Sequence, residues 1–171
     1  GKSKDIYIYG SDNLINFINK MNMNVTNLEN AELILIGRKE ENNNSEINQI
    51  LKNVSLGKEI LCLNKDLTFP TELGERPGNG AVVKIIEDNL SIDIPTLGKS
   101  GNLYSSYFIK NNIDISFVVG DRVDTDIIFG KNLNAQTFLV STGIKNYLDI
   151  NIADVQLNKF SDIVPFITKN F

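Results

Sequence analysis

The sequence contains no histidine and no tryptophan, and its single cysteine is Cys62. The lack of histidine excludes Ser-His-Asp catalysis, Cys-His catalysis and imidazole-bound zinc within this chain. One cysteine forms neither an internal disulfide nor a thiolate metal site. Because Cys62 lies in the apolar run 60–63, we predict a small buried hydrophobic residue rather than a nucleophile.

Long apolar segments and an excess of positive charge are also missing. No run of about 20 apolar residues is present, so we expect no membrane partner and no spanning helix. The formal net charge is −4 and there is no basic stripe, which argues against a nucleic-acid partner. No charged segment followed by an apolar one opens the chain, which favours a cytoplasmic location. At 171 residues, the chain has room for one ordinary domain or two small ones.

The first part of the chain alternates apolar runs with segments of helical period. This β-α-β-α-β order predicts a small parallel sheet with helical crossovers. Ser11 is the predicted cap of the first helix. The predicted strands lie at 6–9, 33–37 and 59–63, and the second predicted helix ends near Gly57.

A segment rich in proline and glycine, residues 64–80, interrupts this order and is predicted to be a loop. A helix through 82–86 follows, and a second α/β unit is predicted to begin near residue 95. It includes a short strand at Thr96-Leu97 and a buried strand at 115–119. Its other predicted elements are helices over 103–109, about 124–132 and 163–167, and strands at 137–140 and 153–157.

Three carboxylates follow the predicted buried strand, in Gly120-Asp121-Arg122-Val123-Asp124-Thr125-Asp126. They lie at the carboxyl end of a strand, where open α/β sheets bind ligands. A hard divalent cation such as Mg²⁺ relieves the repulsion between clustered carboxylates, and carboxylates with Mg²⁺ suggest phosphate chemistry. The alternative is that an aspartate at this turn only caps the following helix.

A lysine, Lys99, follows the short predicted strand within Gly98-Lys99-Ser100. The segment is not a phosphate-binding P-loop, because position 93 is Asp93 where that motif requires glycine. An ammonium group at this sheet edge can neutralise a phosphate and screen nearby carboxylates. The alternative is a solvated surface lysine.

Two polar features of the 64–80 segment have two interpretations each. Asn64 and Asp66 either contact a substrate or form an Asx turn, and from the residues alone the turn is favoured. Gly78-Asn79-Gly80 either lets the backbone approach an anion at a helix N-terminus or simply forms the turn into that helix.

These segments together resemble the haloacid dehalogenase (HAD) superfamily. The resemblance is to its phosphatases with an α/β cap, the NagD and nitrophenyl phosphatase group that includes phosphoglycolate and pyridoxal phosphate phosphatases. It covers nearly the whole chain in the right order and is most specific at Gly120 to Ile127, which looks like motif IV. Gly98-Lys99 is similar to the motif III lysine segment. The other similar positions are 6–10, 31–37, Asn64, Asp66, Pro70, Gly74, 77–81, 129–130, Thr137, 139–140 and 142–143.

The resemblance implies a Mg²⁺-dependent hydrolase that acts on a small phosphorylated metabolite. Residues 1–94 would form a small α/β cap domain with a parallel sheet. Residues 95–171 would form the C-terminal part of a Rossmann-like HAD catalytic core.

The resemblance also implies roles for individual residues. Asp121 would be a catalytic residue and Mg²⁺ ligand, and Asp126 would complete the metal site, orienting it without direct coordination. Lys99 would hold the phosphate and the charge of the nucleophile. Asn64 and Asp66 would contact the substrate from the cap.

Three departures separate the chain from the superfamily pattern. Ser100 replaces the usual proline after the lysine, and Asn134 stands where glycine is usual. More importantly, the chain lacks an Asp-x-Asp-Gly nucleophile element and the Ser or Thr motif that follows it, since Asp124-Thr125-Asp126 has the spacing but no glycine after it. We therefore expect the parent protein to be an enzyme and this chain alone to be inactive.

The alternative function is that of a natural non-catalytic HAD-like protein that serves binding or interaction. Phosphate affinity would persist there through Lys99. Without front strands, the core half would expose a strand edge that needs cover. The expected partners are therefore a homodimer through the cap or a companion N-terminal fragment. An unrelated α/β domain would require a chance match along most of the chain.

Overall fold

The computed structural model describes residues 4–143 and 148–170, which divide into two compact units, Gly1–Leu97 and Gly98–Phe171. Each unit has its own three-stranded parallel sheet. The predicted mixed α/β fold with parallel sheets is confirmed. The assignment of the units to a cap and to part of a catalytic core stays a prediction.

The sheet of the first unit has the order β1-β2-β3, with β2 in the centre. Strand β2 is entirely apolar. Ile34 and Ile36 enter a large buried cluster together with side chains of the second and third helices, whereas Leu33 and Leu35 pack with the first helix on the opposite face. The strands are β1 (Ile6–Tyr9), β2 (Leu33–Ile36) and β3 (Glu59–Cys62), and the helices are α1 (Asp12–Lys20), α2 (Asn44–Ser55) and α3 (Asn79–Leu90).

Polar side chains hold the starts of α1 and α3 in place. Ser11 Oγ accepts a hydrogen bond from Leu14 N at 3.3 Å, so the predicted cap of α1 is confirmed. At the start of α3, the buried Asn79 Nδ2 donates to Ile36 O at 3.2 Å and to Asn64 O at 2.7 Å. The first turn of α3 is thereby tied to the ends of β2 and β3.

The 64–80 segment contains a β-hairpin, so its prediction as a loop is wrong in part. Strands β4 (Thr68–Thr71) and β5 (Gly74–Pro77) pair in antiparallel orientation around a turn where Gly74 has φ +106°. Both strands are edge strands, which tolerate the proline residues that led us to predict a loop.

The strand predicted at Thr96-Leu97 is reduced to a single parallel bridge between Thr96 and Cys62. Cys62 N donates to Pro95 O at 3.0 Å, and Leu97 N donates to Cys62 O at 2.8 Å. This segment therefore extends the first sheet beside β3 and does not open the second one. Cys62 is fully buried, and burial raises the pKa of its thiol, which confirms its apolar role.

The sheet of the second unit has the order β6-β7-β8. The central strand β7 is buried, but β6 is only half-buried along its length, which corrects the prediction of a buried strand there. Among the described residues, no helix is long and apolar enough to cross a membrane. The elements are α4 (Asn102–Lys110), β6 (Phe117–Gly120), a π-helical turn (Val123–Ile127), α5 (Ile128–Asn132), β7 (Gln136–Val140), β8 (Val155–Leu157) and α6 (Val164–Asn170), with short 3₁₀ turns at Ile150–Ile152 and Phe160–Ile163.

Candidate functional site

The acidic motif folds as the π-helical turn that follows β6. Arg122 O accepts hydrogen bonds from Asp126 N at 3.0 Å and from Ile127 N at 3.1 Å, and the second bond closes the wider π-type ring. Single π-helical turns are rare and recur at functional sites. The regular helix begins only at Ile128, which corrects the helix predicted from about residue 124.

Asp126 is the most buried carboxylate of this motif, with 7% of the residue exposed. Its Oδ1 accepts from Lys99 Nζ at 2.9 Å, and its Oδ2 accepts from Arg122 N at 3.3 Å. A Cβ at Gly120 would overlap the Asp126 carboxylate, so the absence of a side chain at Gly120 gives that carboxylate its space. Asp126 is therefore held in one position by an ammonium, a backbone amide and the end of β6.

Lys99 lies in the turn before α4, and not at the end of a strand as predicted. Its side chain is 54% exposed, and its ammonium group reaches the nearly buried Asp126. The structure thus brings together two residues that the sequence predicted for one site. The partly exposed ammonium group can meet a ligand while Asp126 fixes its position.

Asp121 directly follows β6, and its side chain lies against Gly143, where a Cβ would overlap the carboxylate. Gly143 comes shortly after β7, the parallel neighbour of β6. Asp121 is half-buried and lies at the carboxyl edge of the second sheet, the edge where α/β folds bind ligands.

The third carboxylate, Asp124, has a different partner. Arg122 Nε donates to Asp124 Oδ1 at 3.0 Å, and Arg122 Nη2 donates to Asp124 Oδ2 at 2.6 Å. Arg122 and Lys99 therefore relieve much of the predicted repulsion between carboxylates, and no side chain caps the π-helical turn. Within residues 4–143 and 148–170, no three or more His, Cys, Asp or Glu residues are grouped to hold a metal ion.

Sequence reasoning missed the part played by Arg122. Its backbone amide holds Asp126 and its guanidinium group holds Asp124. The available signal was the position of Arg122, two residues before Asp124 and four before Asp126. A tight turn brings residues at this spacing into contact. Gly120 belongs to the predicted motif, but its role in giving Asp126 space depends on the π-helical turn.

Asn64 and Asp66 lie in the first unit, directly after β3. Asn64 Oδ1 accepts from Asp66 N at 3.4 Å, which is the Asx turn that the residues alone favoured. Gly78 N donates to Leu67 O at 2.8 Å and Gly80 N to Asp66 O at 2.9 Å, so these amides hold the turn and are not open to an anion. The substrate-binding role of Asn64 and Asp66 stays a prediction.

A separate polar cluster stabilises the amino end of β7. Asp154 Oδ2 accepts from Thr137 N and from Thr137 Oγ1, both at 2.8 Å, and Asp154 Oδ1 accepts from Lys131 Nζ at 2.5 Å. Lys131 first, and then the Thr137 hydrogen bonds, lower the pKa of Asp154 to about 2. The cluster holds β7 to the segment before β8, and we assign it a structural role.

Two sequence comparisons bear on this geometry. A family model described as HAD-hydrolase-like matches residues 100–162, which include the π-helical turn and all three strands of the second sheet. An acid sugar phosphatase of Staphylococcus epidermidis is 27% identical over 157 residues, which are 88% of this chain and 59% of that relative. The resemblance to the HAD superfamily is confirmed. The chain spans less than two thirds of the length of this acid sugar phosphatase.

Solved structures share the fold of this chain. The p-nitrophenyl phosphatase from Archaeoglobus fulgidus superimposes with a TM-score of 0.79 at 22% identity, covering 96% of this chain and 67% of that one. The glycerol phosphate phosphatase of Mycobacterium tuberculosis in complex with magnesium gives a TM-score of 0.70 at 24% identity, covering 87% of this chain and 48% of that one. At these identities the likeness shows the fold alone.

Proposed function

We propose that this chain supplies the cap and the C-terminal part of the core of a HAD-type phosphatase that acts on a small phosphorylated metabolite. The observation that carries the proposal is the 2.9 Å contact between Lys99 Nζ and Asp126 Oδ1. It joins residues 27 positions apart, at the strand end that also bears Asp121. The similarity to an acid sugar phosphatase supports the same reaction class.

Lys99 would offset the negative charge of a bound phosphoryl group. Preorganised positive charge beside a phosphoryl group lowers the cost of the charge that develops in the transition state. Asp126 holds the ammonium group in place and is itself held by Arg122 N. Asp126 therefore acts as a positioning residue in this proposal.

The residues at this edge fit a divalent cation only in part. Both oxygens of Asp126 already accept hydrogen bonds, so Asp126 is better suited to orient the site than to coordinate a cation. Asp121 would hold the cation directly, and six or more oxygen ligands would require further donors. When bound, Mg²⁺ or a similar cation would neutralise phosphate charge. The magnesium complex of the mycobacterial phosphatase supports this choice of cofactor.

The 171 residues contain no Asp-x-Asp-Gly element, the usual source of the aspartyl nucleophile in the superfamily that the chain resembles. We therefore propose that the chain by itself binds phosphate without hydrolysing a phosphomonoester. The alternative, a non-catalytic HAD-like binding protein, predicts the same phosphate binding but no hydrolysis by any longer form of the protein.

The predicted partners and location stay predictions. Among the described residues β6 pairs only with β7 and is half-buried, which supports a further strand at its other edge, from a homodimer or a companion fragment. Light scattering after size-exclusion chromatography would show whether the 171-residue chain is a monomer. The cytoplasmic location is tested by cell fractionation.

Phosphate binding by the 171-residue chain tests the proposed site. In ³¹P NMR titrations with Mg²⁺ present, we expect Lys99→Ala to weaken inorganic phosphate binding about tenfold or more, the loss of one charge-assisted contact. Lys110→Gln, which removes an equal charge from the last turn of α4, is the matched control. Equal affinities for Lys99→Ala and the control would contradict the proposal.

A hydrolysis assay tests the nucleophile separately. We expect no turnover of p-nitrophenyl phosphate by the 171-residue chain after its intact mass has been verified. Turnover that Asp121→Asn abolishes would show that the chain contains its own nucleophile.

A further inference from the structure

The first unit has a hollow of about 430 Å³ between residues 38–42 and the β4-β5 hairpin. Arg38, Arg76 and the ring of Phe69 line it, and we call it the arginine hollow. We propose that the arginine hollow is a binding site for a small organic anion that carries a carboxylate or phosphate group. The inference concerns the first unit only and does not depend on the proposed phosphatase function.

Arg38 is held in place at both its backbone and its side chain. Its carbonyl oxygen accepts a hydrogen bond from Ser11 N at 3.0 Å. Its guanidinium carbon lies 4.3 Å from the centroid of the Phe69 ring. An arginine held on an aromatic ring loses less freedom when its N–H groups bind an anion. Arg38 is therefore preorganised for a ligand.

Arg76 reaches the same hollow from the hairpin. It is the residue of β5 that pairs in register with Phe69 of β4. Within the part of the chain that the structure describes, neither Arg38 nor Arg76 makes an ion pair with a carboxylate. Both arginines thus line one hollow, and guanidinium groups bind planar carboxylates and phosphates through paired hydrogen bonds.

The other charged residues that line the arginine hollow reduce its affinity for anions but do not occupy the anion position. Lys39 Nζ donates to Glu46 Oε2 at 2.5 Å and is engaged there. Glu40 and Glu41 also line the hollow and are exposed. Because neither arginine forms an ion pair with a glutamate among the described residues, we infer that both can bind an anion from solution.

A neighbouring hollow lacks the features that an anion-binding site needs. It shares Lys39, Glu40 and Glu41 with the arginine hollow, but its other wall is formed by Gly10, Ser11, Asp12 and Asn13 at the start of α1. The Asp12 carboxylate repels anions there, and Ser11 Oγ already accepts a hydrogen bond from Leu14 N. The pair of arginines is therefore the feature that distinguishes the proposed site.

Anion binding by the 171-residue chain tests the inference. The titrations use Lys99→Ala as the starting protein, so that phosphate binding at the second unit does not contribute. Citrate and inorganic phosphate are titrated separately by calorimetry at constant ionic strength. We expect Arg76→Gln and Arg38→Gln each to weaken binding of the preferred anion about tenfold. Lys52→Gln, an equal charge change on α2 of the same unit, should leave it unchanged.

The outcomes separate the sources of the anion and decide the proposal. Binding of citrate alone indicates a carboxylate ligand, binding of phosphate alone indicates a phosphate ligand, and binding of neither overturns the proposal. If Lys52→Gln lost as much anion affinity as the arginine variants, binding would come from general charge attraction, and the proposal would also be overturned. Because Arg76 is exposed on the hairpin, Arg76→Gln is expected to keep the fold, which circular dichroism checks. Unchanged binding in a folded Arg76→Gln protein would also overturn the proposal.

Discussion

The two parallel sheets of this chain have the same number of strands but very different surroundings. The first sheet packs on two clusters, and the larger one contains the fully buried Tyr9, Ile34 and Ile36. The second sheet packs on two smaller clusters, and its edge strand β6 is half-buried throughout. The well-packed sheet carries regular turns, whereas the less buried sheet carries the charged candidate site.

The turns after β1 and β6 show the same contrast. After β1, the chain passes Gly10 and enters a regular helix capped by Ser11. After β6, it passes Gly120 and enters the π-helical turn, which places the charged Asp126 in a nearly buried position. Departures from local rules of this kind are expected where a protein has a function to perform.

The largest expected difference concerns packing. Val83→Ala, in the core of the first unit, should lower the free energy of unfolding by about 2–3 kcal/mol because it leaves a cavity. Val118→Ala in the half-buried β6 should cost about 1 kcal/mol, since less apolar area is lost. Urea unfolding followed by circular dichroism measures both. Equal losses would mean that the two sheets are equally well packed.

A second comparison uses the two glycines at the strand ends. Gly120→Ala should displace Asp126 and weaken phosphate binding about tenfold, because the new Cβ overlaps the carboxylate that holds Lys99. Gly10→Ala meets the terminal Cδ2 of Leu14, which can rotate away, and should leave phosphate binding unchanged. The ³¹P titration described above measures both. If Gly120→Ala bound phosphate as well as Gly10→Ala, Asp126 would not position the lysine.

The polar cluster at β7 should give the second unit its own acid sensitivity. The folded-state pKa of Asp154 is lowered to about 2, whereas an unfolded aspartate titrates near 3.9. The contribution of Asp154 to the free energy of unfolding is present above about pH 4 and is lost as the pH falls toward 2. Because the Asp154 side chain is 40% exposed, solvent screens its interactions. We expect it to contribute about 1 kcal/mol to the free energy of unfolding.

Asp154→Asn is the variant that isolates this contribution. Between pH 4 and pH 2 the unsubstituted chain should lose more stability than Asp154→Asn does, as measured by urea unfolding at each pH. Parallel curves for the two proteins would show that Asp154 does not titrate differently on folding.

The smallest expected effects come from exposed ion pairs. Asp124→Asn, which breaks the partly exposed bidentate pair with Arg122, should cost about 0.5 kcal/mol of unfolding free energy. Asp88→Asn removes the more exposed pair with Lys84 in the first unit and should cost less, about 0.3 kcal/mol. Thermal unfolding at low and high salt compares them. A loss above about 2 kcal/mol for Asp124→Asn would assign that carboxylate a larger structural role.

Much of the fold could be predicted because its signals are local. The apolar runs of β1, β2, β3 and β7 and the Ser11 cap lie within a few residues of the structure they specify, and the structure confirms them. The hairpin at 68–77 could not be predicted in the same way. Proline normally opposes strands, and only the edge position of both strands makes it acceptable there.

The same distinction between local and long-range signals applies to the candidate site. Its residue types, a lysine and an acidic motif after a strand, could be read in order along the chain. That Lys99 contacts Asp126, and that Arg122 contacts both Asp124 and Asp126, depends on how the π-helical turn directs each side chain.

Local signals are enough to predict most of the strands and helices, the Ser11 cap of α1 and the identity of the acidic motif. These depend on hydrophobic period and on hydrogen bonds between near neighbours. Long-range packing sets which carboxylate binds the lysine, which strand is half-buried, and which two arginines line one hollow beside Phe69. Those outcomes depend on contacts between residues far apart in the chain, and no local pattern records them.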